Sequence, residues 1–491
     1  MVLLTNIVGL IATILVVLAT MPVIAGLYQF MMVGLSFFVS HLEQTAPCLP
    51  RVSILIPAWN EDAVIATTID RLMKLNYPAD RLRVYVIDDA SSDQTPYLSI
   101  EKSKEYPGQV IHIRRVAGGE GKAHTLNYGL DVLWANDWTE AVLIMDADVI
   151  YTEDSLLKMA RHFSDPSIGA VTAYIKEGSN APNYVQRFIT FEYITATGAS
   201  RRAQNVMGFL ACLSGGAQLH SRENLMAIGG QIFSATLAED TFTTFWTQLR
   251  GRRAIFEPNA LVYAEEPDDL VGLWKQRVRW ARGNVQITGT FADLWANPDM
   301  HQGMGSLSMS FLWFSIFLMP VFQISAAVSL VGLFFLDPAW AWSLFRLFWL
   351  LAGIVYLVVT FVSYVVDFES ARKSWLEGLL FPGVVSLLVM FHAFFPQPGQ
   401  WLVLQLQLPD GHWLLTCITL FVYAWLGLSM AVAYSSKVLQ QSPRWSKLAP
   451  PVLYFAGYGA FLCAVTFGSY VKEFQGAAMT WDKTVKTGKV G

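Results

Sequence analysis

Two aspartates flanking a small residue, Asp146-Ala147-Asp148, follow the apolar run Ala141 to Met145. Hard divalent cations such as Mg2+ bind one or two carboxylates together with phosphate oxygens of a substrate, and an aspartate pair at a strand end can supply that set. The ion would act as a Lewis acid toward charge building on a departing diphosphate. Asp88-Asp89 closes an earlier apolar run, and Gly118-Gly119-Glu120-Gly121-Lys122 precedes a helical pattern. That turn is not a Walker P-loop, because Val116 stands where its first Gly belongs and Ala123 where Ser or Thr is needed. As a phosphate-facing turn with one lysine it is a weak signal alone. A single acidic pair at a strand end is more often a helix cap, so the weight lies on polar clusters recurring at successive strand ends.

The elements that must position these groups are legible in the same stretch. Arg51 to Trp59 reads as a buried strand, followed by Asn60-Glu61-Asp62 and a helical pattern to about Leu75. Further strands are expected at 82–88, 110–115 and 141–145, with helices near 92–106 and 121–135. Strands alternating with helices imply a mostly parallel α/β sheet, whose ligands bind beyond the carboxyl ends of the strands.

A second group of chemistry-bearing residues spans 239–282. Glu239-Asp240 opens one predicted helix, and Gln276 to Trp280 lies inside the next, expected from Pro267 to about Gln286. There Leu270, Trp274, Val278, Ala281 and Val285 form an apolar stripe, Lys275, Arg279 and Arg282 share a second face, and Gln276, Trp280 and Gly283 share the edge beside it. Arg279 and Trp280 can therefore face one cavity. The bland alternative is an interfacial helix whose basic face meets lipid headgroups and whose Trp anchors it. Residues 183–207, with Glu192, Arg201, Arg202 and Gln204, read as a domain-linking helix or as an amphipathic helix framing an acceptor at the membrane surface.

The whole chain bounds these readings. With 491 residues, 54% hydrophobic content and positive mean hydropathy, it must be divided between water and lipid. A formal charge of −4 gives no reason to expect nucleic acid as a partner. Cys48, Cys212, Cys417 and Cys463 are too scattered to imply a disulfide framework or a zinc site. Residues 5–40 lack Lys, Arg, Asp and Glu and read as one long or kinked span with Pro22 as its break, or as two short ones. A cleaved signal peptide is disfavoured because the first basic residue is Arg51. Later spans are expected at 309–336, 339–366, 374–396, 411–436 and 449–471; the third carries Glu377, Pro382 and His392 and reads alternatively as re-entrant. Arg372-Lys373 and Lys437, Arg444 and Lys447 mark their loops as cytoplasmic. Five later spans would put the tail outside, against the charge of Lys472, Lys483, Lys486 and Lys489.

Six stretches together carry a resemblance: Ile56 to Glu61, Val86 to Asp93, Gly121 to Asn127, Asp146-Ala147-Asp148, Ala238-Glu239-Asp240 and Gln276 to Trp280. In this order the chain resembles the membrane-bound, processive family 2 glycosyltransferases such as cellulose, chitin and hyaluronan synthases. The resemblance implies a GT-A-type fold (Rossmann-like, mostly parallel) joined to an α-helical transmembrane region. It implies a nucleotide-diphosphate sugar donor, most often a UDP-sugar, and Mg2+ or Mn2+ as cofactor. Under it Asp89 reads the base and Lys122 helps hold the nucleotide, while Asp148, with Asp146, serves the metal and diphosphate. Asp240, beside Glu239, is the general base on the acceptor hydroxyl. Arg279 grips the diphosphate, and Trp280, with Gln276, meets the acceptor sugar at a channel mouth. The stretch Cys212 to His220 stands where family members carry an acceptor-side Gly-containing loop, and its details match neither cellulose nor hyaluronan synthases closely.

The expected organisation is an N-terminal span (1–45), a catalytic domain (46–265), amphipathic interface helices (266–303), about five C-terminal spans (304–471) and a basic tail (472–491). The expected activity is inverting transfer to a growing β-linked polysaccharide with coupled translocation, in a bacterial inner or plasma membrane with the catalytic domain cytoplasmic. Expected partners are the donor, a glycan or lipid-linked acceptor and membrane lipids; accessory subunits are not readable. Single transfer to a lipid carrier is the alternative. A transporter with a nucleotide-binding regulator is the reading from another class.

Overall fold

A run such as Val52 to Ile56, buried throughout, is what a strand covered on both faces of a parallel sheet requires. In the computed structural model, which describes residues 2–38, 45–405 and 412–479, it becomes the centre of an eight-stranded sheet. The strands are β1 (Val52–Ala58), β2 (Leu82–Asp88), β3 (Val110–Arg114), β4 (Ala141–Ile144), β5 (Val149–Tyr151), β6 (Ile168–Glu177), β7 (Gln218–Ser221) and β8 (Arg253–Ala264). Their order is β3-β2-β1-β4-β7-β6-β8-β5. The first four are mutually parallel, with Val52 opposite Leu82 on one side and Ala141 on the other. Beyond β4 the sheet is mixed, because β7 runs antiparallel to β4 and β6, and β5 antiparallel to β8. The turn between β4 and β5 thus carries the chain from mid-sheet to the far edge, and Asp146-Ala147-Asp148 is that turn.

The helix Lys122–Trp134 packs Leu126, Leu130 and Leu133 into one core with Leu55, Ile87, Val142 and Ile144. Each such buried side chain contributes roughly 1.5–3 kcal/mol of apolar burial. Gly129 permits the close approach: a Cβ there would lie 2.5 Å from Leu55 Cδ1 and 2.9 Å from Ile87 Cγ1. Residues 184–207 are helical throughout but not uniformly α. Tyr184–Tyr193 starts from an Asn183 capping box with Gln186, Ile194–Ala199 is π-helical, and Ser200–Met207 resumes the α geometry.

His220, on β7, is fully buried between Gln218 Oε1 at 3.2 Å and Asn224 Nδ2 at 3.2 Å. Burial pushes its imidazole down to about 3. The unfolded chain takes up that proton near the ordinary value of about 6.5. Stability from this group is therefore complete above that pH and falls as pH drops toward the folded value, by at most about 1.4 kcal/mol per pH unit. A His220→Gln variant is expected to show a shallower decline of its melting midpoint between pH 6 and pH 4 than the parent; equal slopes would remove His220 as the cause.

The chain divides into two compact units. One comprises Met32–Asp268, Gly283–Met309 and Ala477–Gly491; the other comprises Met1–Met31, Asp269–Arg282 and Ser310–Gly476. In the second, Phe345, Trp349, Tyr423 and Trp425 form a buried aromatic core with Val16 and Ala19 from the N-terminal helices. Those helices, Val2–Leu18 and Met21–Ser36, break at Ala19-Thr20, so Pro22 sits in the first turn of the second helix. Among the described residues four helices are long and apolar enough to cross a membrane: Leu4–Ser36 taken as one, Met319–Leu336, Pro338–Val366 and Trp413–Gln440.

A fifth crossing exists only if Ser446–Ala456 and Tyr458–Phe474, bent by 99°, are one span. The C-terminal region therefore has three such helices, or four with the bent pair, rather than the five expected. The shortfall lies at 374–396, which forms the short helices Trp375–Leu379 and Val384–Phe394. Gly383 and Gly457, both at positive φ, bring two backbones together there: a Cβ on Gly383 would lie 2.4 Å from the Ala456 carbonyl carbon. Glu377, buried, accepts a hydrogen bond from the Tyr454 hydroxyl at 2.7 Å. The basic tail, including Lys483, Lys486 and Lys489, lies outside the described residues from position 480 onward.

Candidate active site

Lys122 is the hub around which the predicted residues gather. As the first residue of its helix, it extends past the strand ends with only 7% of its side chain exposed, and Nζ lies 2.6 Å from Asp146 Oδ1 and 3.7 Å from Glu239 Oε1. It also donates to the Gly215 carbonyl at 3.1 Å. Burial alone would push its ammonium down; Asp146, Glu239 and Asp240 outweigh that and push it up. The lysine therefore stays positive. Asp146 keeps 39% of its side chain exposed, so one face of its carboxylate remains available to a ligand.

The loop Cys212 to Ala217 closes the other side. Leu213 N donates to Thr244 Oγ1 at 2.8 Å, Ser214 N to Thr172 Oγ1 at 3.1 Å, and Tyr151 Oη to the Gly216 carbonyl at 3.1 Å. Side chains on β5, β6 and the helix Glu239–Leu249 thus fix a loop that has no sheet bonds of its own before β7. A Cβ on Gly215 would lie 3.2 Å from Asp240 Oδ2 and 3.3 Å from Lys122 Nζ, and one on Gly216 would lie 3.4 Å from Asp146 Oδ2. Asp146, Lys122 and Asp240 therefore meet on two glycines, with Glu239 reaching Lys122 from beside them. Asp240 sits in the first turn of its helix, where negative charge suits the dipole. Its Oδ1 accepts from Thr241 N at 2.6 Å.

Asp89 belongs to an adjoining corner at the end of β2. Its Oδ2 accepts from Gly119 N at 3.0 Å, and its Oδ1 is paired with Arg115, which also pairs with Glu120. Burial lowers the Arg115 guanidinium's proton affinity, but Glu120 and Asp89 more than restore it. Arg115 was not singled out in the sequence; its signal was an arginine pair, Arg114-Arg115, between a strand and a glycine turn. Asp88 points into the fold instead: Ser91 N and Arg114 reach it at 2.9 and 3.2 Å. Burial alone would push the Asp88 carboxyl up, and hydrogen bonds from His112 and Ser91 with the Arg114 charge hold it below the usual range. Asn60 and Ala90, at the ends of β1 and β2, hold positive φ values of 53° and 56°, strain of the kind that clusters at functional sites.

Asp148 is half-buried, two residues beyond Asp146. Among the described residues no three His, Cys, Asp or Glu side chains converge as a protein-only metal cage. Two carboxylates with one exposed face fit a hard dication that completes its shell with phosphate oxygens and water.

The remaining predicted residues lie on the helix Leu270–Thr290, in the portion grouped with the apolar helices. Gln276 is buried, and Trp280 is 37% exposed with the Arg277 guanidinium 4.1 Å over its ring. Trp274 packs edge-on against Tyr434 and Phe461. Arg282 corrects the expectation of an open basic face: it is buried and ion-paired with Glu473 at 2.5 Å.

Residues 50–283 match the sequence profile described as "Glycosyltransferase like family 2". The chain carries a family 2 glycosyltransferase domain. This glycosyltransferase is 27% identical over 363 residues to the "Probable glycosyltransferase YdaM" of Bacillus subtilis (strain 168), covering 72% of the present chain and 81% of that protein. It is 31% identical over 240 residues to the "Poly-beta-1,6-N-acetyl-D-glucosamine synthase" of Staphylococcus aureus (strain COL), covering 49% of this chain and 56% of the relative. The match thus spans about half the length of that synthase. Among solved structures, the mannosyltransferase PcManGT from Pyrobaculum calidifontis, in complex with GDP-Man and Mn2+, aligns with a TM-score of 0.54 at 22% identity, over 76% of this chain and 99% of that one. That likeness is one of fold, and it makes the mixed sheet of the glycosyltransferase a GT-A-type sheet.

Proposed function

We propose that the protein transfers a sugar, with inversion, from a nucleotide-diphosphate sugar to the hydroxyl of a growing β-linked glycan, and does so at a membrane with its sheet domain in the cytoplasm. The observation that supports this best is the gathering of Asp146, Glu239 and Asp240 around one buried ammonium, Lys122. Inverting transfer needs a carboxylate that takes the acceptor proton as the hydroxyl attacks the anomeric carbon. Asp240 takes that role, with Glu239 beside it. Positive charge is needed where the diphosphate departs, and Lys122 places it on the Asp146 side. Asp89, held by Gly119 and Arg115, is assigned to the nucleotide base. Asp146 and Asp148 would hold Mg2+ or Mn2+, which when bound supplies Lewis-acid charge to the diphosphate.

By their motif, Arg279 is assigned to the diphosphate, and Trp280 and Gln276 to the acceptor. An exposed indole offers a sugar ring flat apolar area, and Arg277 stacked on Trp280 fixes its plane. One similar protein is named a poly-beta-1,6-N-acetyl-D-glucosamine synthase, which supports a glycan product, and another, described as a mannosyltransferase in complex with GDP-Man and Mn2+, supports a nucleotide-sugar donor and a divalent cation. Both leave the sugar to be identified by assay.

The test is turnover of a nucleotide-sugar panel by the full chain in lipid nanodiscs, with sizing of the products. A ladder of lengths supports polymerisation, and a single glycosylated lipid contradicts it. Trp280→Ala is expected to shorten the products while leaving nucleotide affinity within about threefold. Equal losses in length and affinity would show that Trp280 is structural.

A further inference from the structure

We propose that Arg201 is a positioning residue for Asp240, holding the Cys212 to Gly216 loop against that carboxylate and facing it with positive charge. The inference deepens the proposed function and rests on its assignment of Asp240 as the base. Arg201 directly follows the π-helical segment Ile194–Ala199 and the single residue Ser200. A π insertion changes the phase of the residues after it and is frequent at functional sites. Just after it, Arg201 Nη1 donates to Ser214 Oγ. Ser214 is itself anchored by Thr172 and precedes Gly215, whose Cβ position is 3.2 Å from Asp240 Oδ2.

The charge distribution explains why a cation is needed there. Lys122 is shared among Asp146, Glu239 and Asp240, so one ammonium faces three carboxylates. Arg201 and Cys212 also lie within electrostatic reach of Asp240. Burial and the Asp240 charge push the Cys212 thiol up to about 12, which leaves it a neutral S–H. Burial pulls the Arg201 guanidinium down, against Cys212, Asp240 and Tyr193, which hold it up. Arg201 is thus a second cation, besides Lys122, that the Asp240 charge acts on. Its planar fork can reach Ser214 and face Asp240 together, which a lysine does only in part.

The experiment compares the full chain in lipid nanodiscs with Arg201→Gln, Arg201→Lys and Asp240→Asn, reading kcat, donor KM and the pH profile of nucleoside diphosphate release. Arg201→Gln is expected to lower kcat about 10- to 100-fold with donor KM nearly unchanged. The low-pH limb of the kcat profile should lie at higher pH than in the parent, because a cation is lost from the surroundings of the reacting groups. Arg201→Lys should restore that limb and part of the rate. An unmoved limb, with equal losses in the Lys and Gln variants, would reduce Arg201 to a packing residue and overturn the inference alone, provided Asp240→Asn is inactive. Full activity in Asp240→Asn would overturn the proposed base itself, whatever Arg201 does.

Discussion

Asp240→Asn is expected to lower kcat for sugar transfer by about 10²- to 10⁴-fold, the usual range for a positioned general base. The substitution is nearly isosteric, and the Asn side-chain oxygen can still accept from Thr241 N, which reaches Asp240 Oδ1 at 2.6 Å. Helix geometry and the neighbouring Gly215 should therefore be preserved, and donor affinity should change little. What is lost is the capacity to take a proton. An enzyme missing only that function binds its donor and stalls, which separates it from one that is misfolded. The check is equilibrium binding of nucleoside diphosphate alongside steady-state turnover in reconstituted protein, with undiminished product the outcome that removes Asp240 from the reaction.

Lys122→Met should be nearly as damaging, for a different reason. It deletes the ammonium shared by Asp146, Glu239 and Asp240, so the carboxylates lose their common counter-charge and an incoming diphosphate loses one of the cations proposed to meet it. Loss of one preorganised charge of this kind typically costs about 10²- to 10³-fold in kcat. Breaking a fully buried pair destabilises a fold by about 3–5 kcal/mol. Because Asp146 is 39% exposed and solvent screens it, about 1–2 kcal/mol is the expected loss here. Unlike Asp240→Asn, this variant should lose nucleotide affinity together with rate. Retained affinity would show that the ammonium organises the acids without touching the donor.

Much of the frame was legible because its physics is local. Buried parallel strands read as unbroken apolar runs, so β1 to β4 were placed within a residue or two of their ends. The far half was not, since β5 has three residues and β8 carries Glu257, Pro258 and Asn259 in its middle, and neither gives a periodic signal. Residue types also suggested Lys122 and Asp146, but their contact depends on β4 lying beside β1, a topological fact without local trace.

Arg201 stayed open between a linking helix and one framing an acceptor, because periodicity assumes a constant 3.6 residues per turn, which the π segment violates. The stretch 374–396 stayed open between a span and a re-entrant segment because averaged hydropathy does not register the backbone approach of Gly383 to Gly457. Arg282 read as one of three cations on a face turned to a cavity or to lipid headgroups, and its ion pair with the distant Glu473 leaves no trace in the local sequence.

A cryo-EM structure of the full chain in lipid nanodiscs with a nucleotide-sugar donor and Mn2+ would decide whether these acids and the lysine act on one activated sugar. The account predicts the diphosphate within hydrogen-bonding reach of Lys122, the cation on the Asp146 and Asp148 carboxylates, and the anomeric carbon between them and Asp240. Nucleotide density away from Lys122, or an anomeric carbon that Asp240 cannot reach through an acceptor hydroxyl, would contradict it.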